Sequence, residues 1–189
     1  MKRVGRRIPN LLHEKALVLA PEGQPFILPS GKTSNLYVDM KRVLLNGGGL
    51  YTVVQRLHHH LRSVETKFVA GVALGGYPLA TGVSLFSYAL AKEAHRQVPV
   101  YDVLYVRKEA HGMGQLVEGT FEPGDTVALL EDVVTTGASS LRAIDALRAA
   151  GLVVVHVFAV LDREDGGAEA LEAAGVPFEA LAYISDLHP

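Results

Sequence analysis

The chain has 189 residues, 18 basic against 20 acidic side chains, a net charge of -2 and no cysteine. That length fits one domain that buries its core without staples, and 49% hydrophobic residues with a mean hydropathy of +0.21 argue against disorder. Balanced charge excludes a general attraction to nucleic acid or anionic membrane, so any anion site has to be local, and the lack of cysteine excludes disulfides, a thiolate nucleophile and cysteine-ligated zinc. No apolar run approaches the ~20 residues of a membrane span. The basic Met1-Lys2-Arg3 start has no apolar stretch behind it, so a cytoplasmic protein without a secretory signal is expected.

Taken in chain order, Leu11, Leu12, Ala16 and Leu17 predict a short helix over 10–20, ended by Pro21 to Pro25. Phe26–Leu28 and Leu36–Val38 read as short strands about the turn-prone stretch 29–35. After the break at 46–49, Val53, Val54, Leu57 and Leu61 mark one face of a helix over 50–62. Strand and helix patterns then alternate: strand 68–74, helix 78–93, strand 98–106, strand 127–130, helix 139–150, strand 153–161, helix 168–174 and an edge strand over 178–183. Between 106 and 127 a long loop stands where a helix would. The alternation predicts an α/β fold, a mostly parallel sheet flanked by helices, with a small N-terminal hood over about residues 1–45 of a single domain. His58, His59 and His60 are adjacent on a helix, so they point in different directions and cannot share an ion; they are expected to face solvent.

In parallel sheets ligands bind beyond the C-terminal ends of strands, near the switch in strand order. Four segments then become suspects: Ala73 to Gly76, Arg107 to Gly119, Glu131 to Ser139, and Asp162-Arg163. The third is the richest. The apolar run Val127–Leu130 leads into Glu131-Asp132-Val133-Val134-Thr135-Thr136-Gly137-Ala138-Ser139 and an alanine-rich helical pattern. Thr135, Thr136 and Ser139 offer hydroxyls, Gly137 permits a tight turn, and unsatisfied N–H groups at a helix start attract an anion. A monoester phosphate fits that cup. No Gly-Lys-Ser/Thr occurs, so it is not a nucleoside-triphosphate P-loop. Glu131 and Asp132 would repel a phosphate placed on them, so they want sugar hydroxyls or a cation instead. The plainer alternative is a strand, an acidic turn and an N-cap serine.

Residues 130–139 resemble the binding motif for phosphoribosyl pyrophosphate (PRPP) of type I phosphoribosyltransferases. Three further segments resemble orotate phosphoribosyltransferases in particular. These are Phe26 to Asp39, then Tyr105 to Ala110 with His111-Gly112 and Val117 to Gly119, and then Leu161-Asp162-Arg163. The resemblance implies that Thr135–Ser139, including Ala138, hold the 5-phosphate and that Glu131 and Asp132, with Val133 and Val134 beside them, face the ribose. It implies that Gly75 and Gly76 belong to a pyrophosphate turn and that Arg107, Lys108 and His111 close over the leaving group on a flexible loop. Lys32, Tyr37, Thr135 and Arg163 would then meet orotate. Mg²⁺ is expected to arrive on PRPP rather than in a protein cage, and the protein is expected to be a homodimer whose loop acts in trans, with no nucleic acid and no membrane as partner.

The chain departs from the pattern twice. Only Glu109 and Ala110 separate Arg107-Lys108 from His111, where the family usually has a further lysine; either Lys108 takes that role or the loop is reset. The turn at 74–77 lacks the lysine some relatives place there, which leaves more to backbone N–H groups. Without the resemblance, Lys32 and Arg163 also read as surface charges, Tyr37 as a core residue, and 107–119 as a solvated loop. A purine-specific phosphoribosyltransferase and a non-catalytic PRPP-sensing regulator are the alternative functions.

Overall fold

A computed structural model of the chain describes residues 7–27, 33–94, 97–111 and 115–187; of Ala110 and His111 it describes the backbone. The N-terminal part runs through α1 (Arg7–Lys15), β1 (Leu17–Leu19), β2 (Phe26–Ile27), β3 (Thr33–Ser34), β4 (Leu36–Val38), α2 (Lys41–Leu44) and α3 (Gly47–Leu61). The larger part follows as β5 (Phe68–Val72), α4 (Gly76–Glu93), β6 (Asp102–His111), β7 (Gln115–Glu118), β8 (Thr126–Val134), α5 (Ala138–Ala149), β9 (Val153–Asp162), α6 (Gly167–Ala173) and β10 (Phe178–Tyr183). The expected first helix starts earlier and ends at Lys15, because Leu17–Leu19 pairs antiparallel with Leu36–Val38 instead of continuing the helical pattern.

Six strands form one sheet in the order β10-β9-β8-β5-β6-β7. All its pairings are parallel except β6 with β7. After β5 the chain adds β6 on one side and then returns to add β8 on the other. The order of addition therefore reverses at β5, and the crevice beyond the C-terminal ends of β5 and β8 is the position where such sheets hold ligands.

Alternation along β8 decides which face each helix covers. Ala128 and Leu130 point to a core shared with α1, α3 and α4, through residues such as Leu12, Val53, Leu57, Leu79 and Val83. Val127 and Leu129 point to the opposite core with Ala143, Ile144 and Leu147 of α5 and Leu171 of α6. Near-continuous apolar runs in β5, β8 and β9 follow from burial on both faces. The helix α3 opens on three glycines, poor helix formers, and the Asn46 side chain secures it by accepting from Gly49 N–H at 3.0 Å.

Two expectations need correction. The stretch Arg107–Gly119 is largely a β-hairpin: β6 extends to His111 and pairs back with β7. A valine-rich strand continued by residues with a pairing partner gains ladder hydrogen bonds, which the one-strand reading over 98–106 could not anticipate. The three histidines also do not all face solvent. His58 is 5% exposed and packs edge-on against Phe86 and Tyr101. His60 Nδ1 lies 2.7 Å from Glu179 Oε1 of β10, leaving His59 as the exposed one. Burial pushes the His58 imidazole below its ordinary pKa, which suits a neutral ring in an aromatic cage.

Candidate active site

The strand β8 does not stop before its carboxylates; it carries Glu131 and Asp132 inside the ladder, with Glu131 opposite Ala159 of β9. Neighbouring strand residues point to opposite faces, so the two acids have separate surroundings. Glu131, 4% exposed, faces α5. Its Oε1 accepts from Ser140 Oγ at 2.8 Å and from Ser139 Oγ at 3.3 Å. Burial drives its pKa from 4.5 up to about 7, against the pull of the two hydroxyls. Asp132 faces α4, and burial raises its carboxyl above the usual value while Lys108 and Lys41 favour its charged form.

The turn after β5 fits around Asp132. The Ala73–Leu74 peptide is cis, Ala73 N–H donates to Val106 O at 3.1 Å, and α4 begins at Gly76. A Cβ on Gly75 would overlap the Asp132 carboxylate, and one on Gly76 would lie 2.6 Å from Leu130 O. Gly76 is therefore required by the approach of β8 to this turn, whereas a side chain at Gly75 would force the Asp132 carboxylate to move.

Beyond β8 the chain turns through Thr135 and Thr136, both exposed, to Gly137, which adopts a φ of 77°. That left-handed conformation favours glycine. Gly137 is the N-cap of α5 and offers no side chain, so the N-cap serine of the plainer sequence reading does not occur. Ala138 opens the helix, and Ser139 and Ser140 turn their hydroxyls inward to Glu131. The cup for an anion is then formed by the threonines and by the free N–H groups of the first turn. Gly167 backs it: a Cβ there would come within 2.5 Å of Thr135 O and 3.1 Å of Gly137 N.

At the end of β9, Asp162 is buried and accepts Glu164 N–H at 2.8 Å. Arg163 is tied to β8 by its N–H to Val134 O at 2.8 Å, and its buried Nε has no partner within the described residues. The Glu164 carboxylate takes Ser185 N–H at 2.9 Å and Ser185 Oγ at 3.2 Å, bracing that turn.

The hairpin brings Arg107 across from Glu118, with Nη1 at 3.3 Å from Oε1, while Lys108 is exposed and acts on both Glu131 and Asp132. His111 ends β6 opposite Gln115; its side chain, like Lys32, lies outside the described residues. Tyr37 is 38% exposed between buried Leu36 and Val38, its ring 5.8 Å from that of Phe26. That exposure departs from the core reading of Tyr37.

Sequence reasoning missed Ser140, whose type matches Ser139 beside it but whose helix position decides the contact. It also missed the stacking of Tyr77 on Tyr105 at 4.3 Å, which joins α4 to the hairpin. No spacing rule marks these, because each depends on a long-range meeting of elements.

No family model matches the chain. Curated relatives do. It is 38% identical over 183 residues to the orotate phosphoribosyltransferase of Aquifex aeolicus, covering 96% of each protein. It is 42% identical over 188 residues to that of Sorangium cellulosum, covering 97% of this chain and 92% of the relative. Among solved structures, Mycobacterium tuberculosis H37Rv orotate phosphoribosyltransferase in complex with Fe(III) dicitrate superimposes with a TM-score of 0.78 at 30% identity, over 96% of this chain and 97% of that one. The same enzyme in complex with PRPP gives 0.74 at 29% identity, over 95% and 96%. The likeness spans the sheet, the acidic strand and the turn beside it, and the chain belongs to the orotate phosphoribosyltransferase family.

Proposed function

We propose that the chain transfers the phosphoribosyl group of PRPP to orotate, giving orotidine 5′-monophosphate and pyrophosphate in pyrimidine nucleotide synthesis. The observation that carries this reading is the close approach of Asp132 to the turn at Gly75, one strand away from the Thr135–Gly137 cup. A sugar placed across that meeting has its 5-phosphate at the start of α5, its hydroxyls near Asp132, and its anomeric substituent over the turn. Glu131, with Val133 and Val134, forms the wall behind the ribose.

The reaction breaks the bond from C1′ to the pyrophosphate oxygen and forms one from C1′ to the ring nitrogen of orotate, which gives up its proton. C1′ gains positive character while charge gathers on the departing oxygen. Preorganised cations lower that barrier, and Arg107, Lys108 and His111 of the hairpin are the groups assigned to it. Asp132 holds the ribose in line, a positioning effect rather than proton transfer. Arg163 has the free donor and the planar fork that suit an anionic pyrimidine. Tyr37 and Thr135, with Lys32, complete the orotate side.

Among the described residues no three His, Asp or Glu side chains converge on a metal position. The exposed part of Asp132 is an oxygen donor of the kind Mg²⁺ accepts, which fits an ion carried on the diphosphate and touched by the protein. Bound there, Mg²⁺ would supply charge neutralisation for the leaving group.

The partner assigned is a second copy. Along α4, Tyr77, Thr81, Leu85 and Tyr88 form one stripe, with Leu85 68% and Tyr88 51% exposed, next to Leu74 at 79%. The stripe joins the hairpin through the Tyr77–Tyr105 stack and a 2.6 Å hydroxyl contact between Thr81 and Tyr105. A helix face of that apolarity is unusual on a monomer. Trans action is assigned to the hairpin that carries Arg107, Lys108 and His111.

Orotate-dependent release of pyrophosphate from PRPP with Mg²⁺ tests the assignment. Turnover with adenine or hypoxanthine but not orotate would favour a purine enzyme. Binding of RNA or DNA with no PRPP turnover would favour a regulator.

A further inference from the structure

Two large rings stand outside both cores. Tyr77, in the first turn of α4, and Tyr105, on β6, are half-buried and belong to neither apolar cluster. They stack on each other instead, with ring centroids 4.3 Å apart and planes inclined by 27°. Thr81, one turn further along α4, closes the pair. Its hydroxyl donates to Tyr77 O at 2.9 Å, which leaves it no proton for the phenol 2.6 Å away. The Tyr105 hydroxyl is therefore the donor and Thr81 Oγ1 the acceptor.

The clasp acts on the peptide that leads into Arg107. Val106 O accepts from Ala73 N–H at 3.1 Å and, more weakly, from the Tyr77 hydroxyl at 3.4 Å. Both donors come from the turn after β5 and the helix it opens. Alternation along β6 puts Tyr105 and Arg107 on one face, opposite buried Leu104 and Val106. Burial raises the Tyr77 phenol above its ordinary pKa, against the pull of Arg107, and keeps it a donor. The regular register of β6 with β7 ends at Val106 and resumes only at His111. The clasp thus sits at the root of the hairpin, where its arm leaves the sheet.

We propose that Tyr77, Tyr105 and Thr81 are positioning residues, which fasten the root of the hairpin to the first turn of α4 and so fix where Arg107 stands when the hairpin closes over a leaving diphosphate. The inference rests on the phosphoribosyl-transfer reading. The assigned effect passes through Arg107 rather than through contact with substrate. Tyr77 and Thr81 also belong to the α4 stripe proposed to meet a second copy, so the test has to separate placement of Arg107 from assembly.

Tyr105→Leu, Tyr105→Phe, Arg107→Ala and the double variant of Tyr105→Leu with Arg107→Ala test it. Steady-state rates are taken with PRPP and orotate varied separately, at a temperature where every variant is folded, and sedimentation is followed alongside. A misplaced leaving-group cation predicts that Tyr105→Leu lowers kcat about tenfold, with KM for orotate near wild type. Tyr105→Phe, which keeps the stack, recovers most of the loss. In the Arg107→Ala background Tyr105→Leu costs less than about twofold more, because a group that acts through Arg107 has nothing left to place. Unchanged kcat in Tyr105→Leu would overturn the proposal. So would losses that multiply in the double variant, or a loss fully reversed by raising protein concentration, since the stack would then serve packing or assembly. Should Tyr105→Leu not fold, Thr81→Val removes only the acceptor of the Tyr105 hydroxyl and carries the same cycle. Its expected loss in kcat is about threefold, again absent in the Arg107→Ala background; a full-speed or multiplying Thr81→Val would count equally against the clasp. Failure of wild type to use orotate sinks the reaction assignment, whereas an active wild type indifferent to these changes sinks this inference alone.

Discussion

Burial pushes the Glu131 carboxyl up to about 7 in the fold against 4.5 unfolded, so its protonation changes near neutral pH. A raised value means that the folded state binds the proton more tightly than the unfolded one. Its stabilising contribution is therefore complete below pH 4.5 and is lost as pH rises through about 7. The interval corresponds to at most about 3 kcal/mol. Glu131→Gln should unfold at higher urea than wild type at pH 8, and the gap should close toward pH 5; a less stable variant at pH 8 would mean that Ser139 and Ser140 already satisfy the charge. Asp132 sits on the other face of the same strand, against Gly75. Asp132→Asn keeps that packing and removes the charge, so kcat/KM for PRPP should fall about a hundredfold with the melting temperature nearly unchanged. Wild-type kinetics in Asp132→Asn would remove the ribose assignment. The pair was legible in the sequence as two acids after a buried run, but their division between two faces was not. That division follows once β8 is seen to continue through Val134 instead of ending at Leu130.

The hairpin of β6 and β7 shows where local pattern is insufficient. Residues 107–119 read as a charged, glycine-bearing loop, and strand pairing appears only because Val106 meets Val117 and Tyr105 meets Glu118. The strands carry charged and polar residues among the apolar ones, so no clean alternation marks the pairing. Lys108→Ala should lower kcat more than it raises KM for PRPP, by roughly ten- to a hundredfold, because its charge is used most as the leaving group departs. Unaltered turnover in Lys108→Ala and His111→Ala together would remove the hairpin from the chemistry. If the tip acts in trans, equal mixing of inactive His111→Ala and Asp132→Asn proteins yields heterodimers with one intact site. Activity should then return to about a quarter of wild type. No recovery after verified subunit exchange would place His111 in its own chain's site. By contrast β5, β8, β9 and α4 were all legible, since burial on both faces imposes apolar runs that few other arrangements tolerate.

At the scale of the molecule, the alternation of strands and helices sufficed for a mostly parallel sheet with helices on both faces, and reversal at β5 places the crevice. The small N-terminal pairings of β1 with β4 and β2 with β3 were less legible, because two- and three-residue strands carry almost no periodicity. Among the described residues no helix is long and apolar enough to cross a membrane; the exposed stripe on α4 is the face proposed to meet a second copy. Leu85→Glu should convert a dimer to a monomer by sedimentation and depress activity, since the hairpin tip would lose its neighbour. A wild-type protein that sediments as a monomer at working concentration would refute the stripe's role. The sheet has two ends, and β7 is one of them. Its last strand is four residues long and carries Glu118, with Arg107 and Lys108 on the strand beside it. An open strand edge is a template for aggregation, and short length with charge is how proteins blunt it. Glu118, the charged residue of that edge strand and the partner of Arg107, thus helps to keep the edge from pairing with other molecules. Neutralising Glu118 carries a solubility cost unrelated to catalysis, and lost activity in such a variant has to be read beside its aggregation state.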